Sequence, residues 1–157
     1  MDRNIWLKEM RRDCEEKYDG WAPLYWEKWG DYGNVTHLAF LREMLSLLTD
    51  HSVILDAPCG AGRYEPYLLE KGHSVLGIDQ SRGMLARASE KFPAARYEKL
   101  GLQEMSFREQ FDAAICMDAM ENVCPEDGPR VLGNFHRALK RGGYFYFTAE
   151  TLENADE

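Results

Sequence analysis

The stretch VILDAPCGAGRY, residues 53–64, decides the fold. An apolar run ends in Asp56, and Pro58, Gly60 and Gly62 then form a tight turn into a helical pattern. Glycines let a ligand approach the backbone without interference from Cβ atoms, and the following helix offers unpaired N–H groups. In open α/β sheets this first strand-to-helix crevice binds nucleotide-like ligands. The stretch therefore predicts the first βα unit of such a sheet and a ligand site beside it.

From this unit onward, short apolar or β-branched runs alternate with helical patterns. The runs are SVILDA (52–57), SVLGID (74–79), ARYEKL (95–100), FDAAICM (111–117) and YFYFTAE (144–150). We expect helices over 62–71, 81–92 and 125–141 between the strands, and over 3–17 and 36–49 before them. This alternation predicts βαβ units and a mostly parallel sheet. The 157 residues suit one domain, which we divide into a helical N-terminal cap (1–50) and a core (51–157).

Composition narrows the classes of partner. Nineteen Lys and Arg against 27 Asp and Glu give a net charge of −8, which argues against a nucleic-acid backbone or an anionic membrane as the main partner. No apolar run is long enough for a spanning helix, and the charged N-terminus does not resemble a secretory signal. The four cysteines and four histidines are scattered, which predicts no metal site. We expect a cytoplasmic protein with reduced thiols.

A second signal for the ligand site is Asp79, which ends the second run and lies 19 residues after Gly60. An acid at that position can accept hydrogen bonds from ribose hydroxyls. The alternative is a glycine turn that only lets a helix pack, with Asp79 capping the helix that starts at Ser81. A dinucleotide site needs a glycine where this chain has Pro58, and Asp56 would repel a pyrophosphate but attract an amine. The pattern favours a ligand with an amino acid moiety over NAD, and a nicotinamide dehydrogenase is the less favoured alternative.

Several segments resemble, in order and spacing, the motifs of class I S-adenosylmethionine-dependent methyltransferases. DAPCGAGRY is similar to their first motif, GIDQSRGML to the second, and QFDAAICMDAMENV to the strand-4 motif. RVLGNFHRALKRGGYFYFTAE resembles the fifth helix and strand, and YDGWAPLY resembles a segment that precedes the core in small-molecule members. The resemblance covers about 18–150. It implies a three-layer αβα, Rossmann-like core with strand order 3-2-1-4-5, truncated after strand 5.

The resemblance also implies S-adenosyl-L-methionine as cofactor and a set of binding residues. These are Tyr18, Tyr25, Asp56, Ala57, Gly60, Gly62, Asp79, Gln80, Met84, Leu102, Gln103 and Met117. Asp56 and the glycines would line the methionine part, and Asp79 would hold the ribose. Gln80 and Met84 would lie beside the adenosine, with Leu102 and Gln103 at the adenine. The Met117 carbonyl would accept from the ammonium, and Tyr18 and Tyr25 would close over the site. Gly101 stands where the family usually has an acid.

Methyl transfer from a sulfonium is an in-line displacement, so the protein mainly supplies orientation and a dry pocket. A base is needed only where the acceptor must lose a proton. Asp118, Glu121 and Asn122 are candidates, with loop solvation or helix capping as the alternative for the two acids. His136 is expected to lie on the surface or in packing. The sequence assigns no catalytic residue.

The aromatic stretch YDGWAPLYWEKWGDY (18–32) has two interpretations. Its rings would either wall an acceptor pocket as a lid or pack a helical cap onto the sheet. We favour packing for most of them, with Tyr25 as the functional member. The nearby basic cluster of Lys8, Arg11 and Arg12 is predicted to be a solvated helix face.

After its fifth strand the chain ends in TLENADE, whereas the resembled family continues with two further strands. Three explanations compete: a fragment or truncated form, a sheet completed by a partner or second copy, and a reduced module without turnover. We favour the first. The predicted function is methyl transfer to a small molecule. The alternative is a non-catalytic or truncated cofactor-binding module. It would pair through its open sheet edge with a partner chain or, as a homodimer, with a second copy of itself.

Overall fold

The computed structural model describes residues 2–30 and 33–150. Its strands are β1 (Val53–Asp56), β2 (Ser74–Asp79), β3 (Arg96–Lys99), β4 (Phe111–Cys116) and β5 (Leu139–Phe147). They form one sheet in the order β3-β2-β1-β4-β5, and every neighbouring pair is parallel. The predicted parallel sheet and its strand order are confirmed.

Among the described residues, six α-helices accompany the sheet: α1 (Arg3–Trp21), α2 (Tyr25–Trp29), α3 (Val35–Ser46), α4 (Glu65–Leu68), α5 (Arg82–Lys91) and α6 (Gly128–Ala138). Short 3₁₀ turns cover Ala22–Leu24, Glu70–Gly72, Leu102–Glu104 and Met120–Asn122. Side-chain caps explain where the longer helices begin. The Ser81 hydroxyl accepts from the Met84 N–H at 3.1 Å, and the Asn34 side chain accepts from the Thr36 and His37 N–H groups.

Helices cover both faces of the sheet because successive strand residues point to opposite sides. On one face, the α3 residues Leu41, Met44 and Leu45 share an apolar cluster with Ile54 and Ile115. On the other, the α6 residues Val131, Phe135 and Ala138 share a second cluster with Leu55, Ile78 and Ala114. This arrangement confirms the three-layer αβα fold. In the described part of the chain no helix is both long and apolar enough to cross a membrane.

Several element boundaries differ from the sequence expectation. The helix predicted over 62–71 is reduced to α4 and a 3₁₀ turn, because Lys71 and Gly72 take positive φ angles of 54° and 70°. The helix predicted over 125–141 ends at Ala138, and its last carbonyls accept from the Glu109 and Gln110 N–H groups, both at 2.8 Å. Helix α1 continues to Trp21 instead of ending near residue 17.

Strand β5 begins earlier than expected and forms one edge of the sheet. Lys140 and Arg141 were predicted in the last turn of a helix but lie in this strand. The Lys140 ammonium lies 2.8 Å from Asp112 on β4, which anchors the start of the strand. Tyr144 and Phe147 remain 39% and 41% exposed, so the edge carries apolar surface. Residues 151–157 lie outside the described residues.

Candidate functional site

A cavity of about 520 Å³ opens at the carboxyl ends of the first four strands. Helices α1 and α2 close it from above, and the segments that follow β1 to β4 form its floor. Nine predicted binding residues line it together: Tyr18, Tyr25, Gly60, Asp79, Gln80, Met84, Leu102, Gln103 and Met117. The other three, Asp56, Ala57 and Gly62, are buried and are not among the residues lining the cavity.

The loop requires glycine at two positions, for a different physical reason at each. Gly60 takes a φ of +53°, and no atom lies within 4 Å of the position that a Cβ would occupy. It therefore leaves open space at the cavity. Gly62 takes a φ of +84°, and a Cβ there would lie 2.8 Å from Phe92 Cδ2 at the end of α5. Gly62 thus permits close packing behind the loop.

Asp79 joins the glycine loop to the start of α5. Its carboxylate accepts from the Gly60 N–H at 3.0 Å and from the Ser81 N–H at 2.8 Å. The side chain is 7% exposed, and this burial raises its pKa to about 6. Each oxygen keeps a second acceptor position that a ligand hydroxyl can use. The site role and the capping role considered from sequence are therefore compatible at this residue.

Helix α1 lies over the site although none of its residues is buried. Polar contacts hold it, together with the partly buried Tyr18 ring, which packs against an apolar cluster that includes Met84. Asp19 Oδ1 accepts from the Ser81 hydroxyl at 2.6 Å and from the Gly83 N–H at 2.9 Å, which fixes α1 to the start of α5. These hydrogen bonds lower the pKa of Asp19. The neighbouring Tyr18 lines the cavity, and its hydroxyl accepts from Asn122 Nδ2 at 3.2 Å.

The prediction of a solvated basic face is wrong for Arg11. Its Nε donates to Asp127 Oδ2 at 2.9 Å and its Nη2 donates to Oδ1 at 2.6 Å. Asp127 is 5% exposed and precedes α6, so this pair joins α1 to that helix. Lys8 and Arg12 are exposed, as expected. The charge pattern along α1 could not indicate this pair, because the partner of Arg11 lies far away in the sequence.

Asp118 is the centre of a polar cluster beyond β4. It takes a positive φ of 50°, which is uncommon for a residue with a side chain. Its Oδ2 accepts from the Arg63 guanidinium and from the Tyr64 hydroxyl at 3.3 Å, and its backbone N–H donates to Thr148 at 2.7 Å. His37 Nδ1 lies 3.5 Å from Oδ1. Asp118 is therefore an ion-paired group on the cavity wall, neither a solvated loop residue nor a helix cap.

The other two base candidates also line the cavity. Glu121 is exposed over much of its surface. The part that is buried raises its pKa, and the negative charges of Glu150 and Asp118 raise it further. Asn122 donates to Tyr18, which connects the segment after β4 to α1. His136 is exposed on α6, as expected.

The aromatic stretch divides between the two interpretations. Tyr18, Trp21, Tyr25 and Trp29 line the cavity, and neighbouring rings among them are 5.3 to 5.4 Å apart. Trp26 instead packs against Phe92 of the core, with 5.9 Å between ring centroids. A continuous row of rings in edge-to-face and tilted contact therefore forms one wall of the cavity. Tyr32 lies outside the described residues.

The predicted binding residues and the three base candidates account for half of the residues that line the cavity. The additional residues are Cys14, Trp21, Trp29, Pro58, Cys59, Arg63, Tyr64, Leu100, Gly101, Ala119, Val123 and Glu150. Arg63 and Tyr64 directly follow the glycine motif, and this adjacency was a signal that could have found them. Within residues 2–30 and 33–150, no group of three or more His, Cys, Asp or Glu side chains has a metal-binding arrangement.

Comparison with known proteins agrees with this architecture. Residues 55–147 match the family model described as "Methyltransferase domain". The chain belongs to this methyltransferase family. A solved TehB-like SAM-dependent methyltransferase from Corynebacterium glutamicum is 31% identical, with a TM-score of 0.64, covering 84% of this chain and 70% of its own. The resemblance to class I methyltransferases and the Rossmann-like fold are thereby confirmed.

Two curated relatives in the family have named substrates or pathways. A malonyl-[acyl-carrier protein] O-methyltransferase from Hamiltonella defensa is 30% identical over 106 residues, which are 68% of this chain and 41% of that protein. A ubiquinone biosynthesis O-methyltransferase from Acinetobacter baumannii is 24% identical over 156 residues, which cover 90% of this chain and 65% of that protein. The chain spans about two fifths of the length of several curated relatives that it matches.

Proposed function

We propose that the chain binds S-adenosylmethionine in the cavity and transfers its methyl group to a small-molecule acceptor. The observation that carries this proposal is Asp79, fixed at the cavity wall between the glycine loop and α5, in a chain of the methyltransferase family. A carboxylate at the end of the second strand is suited to accept hydrogen bonds from ribose hydroxyls.

The residues present fit such a cofactor. The cavity has the size of ordinary cofactor pockets, which measure roughly 300–1,000 Å³. Met84 and Leu102 offer apolar contacts for a base, and Gly60 leaves open space beside the loop. In this assignment Asp79 accepts hydrogen bonds from the ribose, and Gln80, Met84, Leu102 and Gln103 surround the adenosine. Gly60 and Met117 contact the methionine part, while the buried Asp56, Ala57 and Gly62 serve it from behind the loop. Tyr18 and Tyr25 close the site.

When bound, the cofactor supplies a methyl carbon on a sulfonium, whose leaving group is a neutral thioether. The chain's own contribution is to orient both reactants and to exclude water. The ring wall formed by Trp21, Tyr25 and Trp29 suits the second task. Asp118, held by Arg63 and Tyr64 on the same cavity, is positioned to accept a proton where the acceptor carries an acidic O–H or N–H group.

An oxygen atom is the acceptor that the relatives favour. Both curated relatives described above are named O-methyltransferases, one acting on a malonyl thioester carrier and one in ubiquinone biosynthesis. The excess of acidic over basic residues supports a small acceptor over a nucleic acid. The cytoplasmic location stays a prediction of the sequence.

A second candidate is a cofactor-binding module that pairs with another chain, or with a second copy, through β5. The exposed Tyr144 and Phe147 at this sheet edge favour it. It predicts cofactor binding without turnover and a dimer in solution. Detectable methyl transfer to any acceptor by a monomer would exclude it.

Calorimetric titration with S-adenosylhomocysteine tests the main proposal, with NAD as the control ligand. We expect one site per chain and no NAD binding. Asp79→Ala should weaken binding by at least about tenfold, since a hydrogen bond to a charged group contributes roughly 1.5–3 kcal/mol. The matched control is Asp50→Ala, which removes an exposed acid just before β1. Unchanged affinity in Asp79→Ala would show that the ribose assignment is wrong.

A further inference from the structure

Two carboxyl groups are buried behind the glycine loop, and in the described part of the chain no hydrogen-bond donor reaches either of them. Asp56 at the end of β1 is 1% exposed, and Glu65 at the start of α4 is fully buried. None of their four carboxyl oxygens has a hydrogen-bond partner in the described part of the chain. An isolated ionised carboxylate is very costly to bury, so two such charges side by side are not a stable arrangement.

The two groups interact directly with each other. The carboxyl carbon of Glu65 lies 3.3 Å from the position that a Cβ would take on Gly62, which places it underneath the loop. Burial raises the pKa of Asp56, and the neighbouring Glu65 raises it further. Burial likewise raises the pKa of Glu65 to about 7. A proton held between the two groups would supply the hydrogen bond that their oxygens lack.

The other titratable groups that face the pair do not neutralise it. Asp79 adds a further negative charge, and burial holds the Cys59 and Cys116 thiols neutral by raising the pKa of each. The Tyr97 hydroxyl also faces Glu65, but it donates its proton to the Phe92 carbonyl at 3.1 Å. Arg63 is a nearby cation that lowers the pKa of Asp56, but burial and Glu65 act more strongly in the opposite direction, and the Arg63 guanidinium also donates to Asp118 on the cavity wall.

We propose that Asp56 and Glu65 share one proton while the loop is empty, and release it when a cationic ligand occupies the loop. The pair thereby favours the cofactor, which carries a sulfonium, over its thioether product, which lacks that positive charge. This inference rests on the proposed function. On release, the O–H bond of the shared proton breaks, the proton passes to bulk water, and both carboxylates are then ionised. No other bond changes.

The physical reason is charge compensation. A nearby cation favours the ionised form of a carboxyl group, and the effect is strong where water is excluded. S-adenosylmethionine and S-adenosylhomocysteine carry the same ribose and ammonium, but only the first carries a sulfonium. Contacts to Asp79 are therefore the same for both ligands. A difference in proton release between the two reports on the sulfonium.

The test is calorimetric titration near neutral pH with both ligands, in two buffers of different ionisation enthalpy. This measures the number of protons released without any turnover. We expect more protons released with S-adenosylmethionine than with S-adenosylhomocysteine. In Glu65→Gln this difference should disappear, and the preference for S-adenosylmethionine should fall about tenfold. Glu70→Gln, which removes an exposed acid from the next turn, should leave both quantities unchanged.

Equal proton release by the two ligands, or an unchanged difference in Glu65→Gln, would overturn the inference and leave the proposed function standing. Failure of both ligands to bind the unmodified chain would overturn the proposed function, and the role of the pair with it. Gln keeps the shape of a protonated Glu, so the variant should fold. If it does not, Asp56→Asn removes the other member of the pair and has the same expected result.

Discussion

Arg11 and Asp127, 116 residues apart in the sequence, form a bidentate ion pair that joins α1 to the start of α6. The Asp127 side chain is 6% exposed and that of Arg11 is 22% exposed. Gln103 of the cavity wall also lies 3.4 Å from Asp127 Oδ2. The pair therefore links the helix above the cavity to a segment below it.

Arg11→Gln should destabilise the protein, because Asp127 would be left buried without its charge partner. Breaking a buried pair by removing one partner costs roughly 3–5 kcal/mol, and the partial exposure of Arg11 places the expected loss at about 2–3 kcal/mol. Urea denaturation measures the free energy of unfolding. Arg12→Gln is the control, since its side chain is 64% exposed and it should change stability by less than about 0.5 kcal/mol. Equal stability of the two variants would contradict the prediction.

Asp19→Asn should weaken the attachment of α1 to α5 by about 1 kcal/mol, because its Oδ1 accepts from the Ser81 hydroxyl and the Gly83 N–H group. The pKa of Asp19 is lowered in the folded state. Its contribution is therefore present above the unfolded-state pKa and is lost as pH falls through the folded-state pKa. Urea titrations over a pH series should show the stability gap between the original chain and the variant closing in acid. A gap that is constant with pH would contradict this cause.

Glu65→Gln should change how stability depends on pH. The folded state raises the pKa of Glu65 from 4.5 to about 7. The contribution of Glu65 to the free energy of unfolding is therefore complete below the unfolded-state pKa and is lost as pH rises through the folded-state pKa. The free energy of unfolding should therefore fall across this window in the original chain. In Glu65→Gln the curve should be flatter, so that the variant is the more stable at alkaline pH. Glu70→Gln should keep the original slope.

Alanine substitutions at the two loop glycines should have different main effects, one on the melting temperature and one on ligand binding. In Gly62→Ala, the new Cβ meets Phe92 at 2.8 Å in a left-handed backbone, and the melting temperature should fall with a loss of about 2–3 kcal/mol. In Gly60→Ala the space is open, and only the left-handed strain of about 1–2 kcal/mol remains. Its main effect should be weaker binding of S-adenosylhomocysteine in calorimetry. Equal melting temperatures for the two variants would contradict this division.

Alternating strand and helix patterns allowed the parallel sheet to be predicted, and the resemblance of local motifs to a known family supplied the strand order and half of the residues that line the cavity. The glycine loop and Asp79 are short-range features whose backbone requirements are visible in the residue types, and both lie at the cavity as expected. Apolar periodicity likewise placed α3 and α5 within a few residues. The division into a cap over 1–50 and a core over 51–157 stays a prediction.

The parts that were missed depend on contacts between distant residues. From the sequence, Asp127 was placed only as one residue of the helix predicted over 125–141, whereas the structure pairs it with Arg11 on α1. The end of α6 is set by N–H groups of Glu109 and Gln110, which precede β4. The Asp118 cluster brings together Arg63 and Thr148 from separate loops. No local propensity reports such pairings.

The absence of buried residues in α1 has a kinetic consequence. A helix that is attached mainly by ion pairs, hydrogen bonds and one partly buried ring, that of Tyr18, can separate from the domain at a lower free energy than global unfolding requires. Added salt screens its partly exposed pairs, such as Lys99 with Glu15, while leaving the apolar core unaffected. Raising the ionic strength should therefore speed the exchange of a ligand held beneath α1, and its residence time should shorten well before the melting temperature changes.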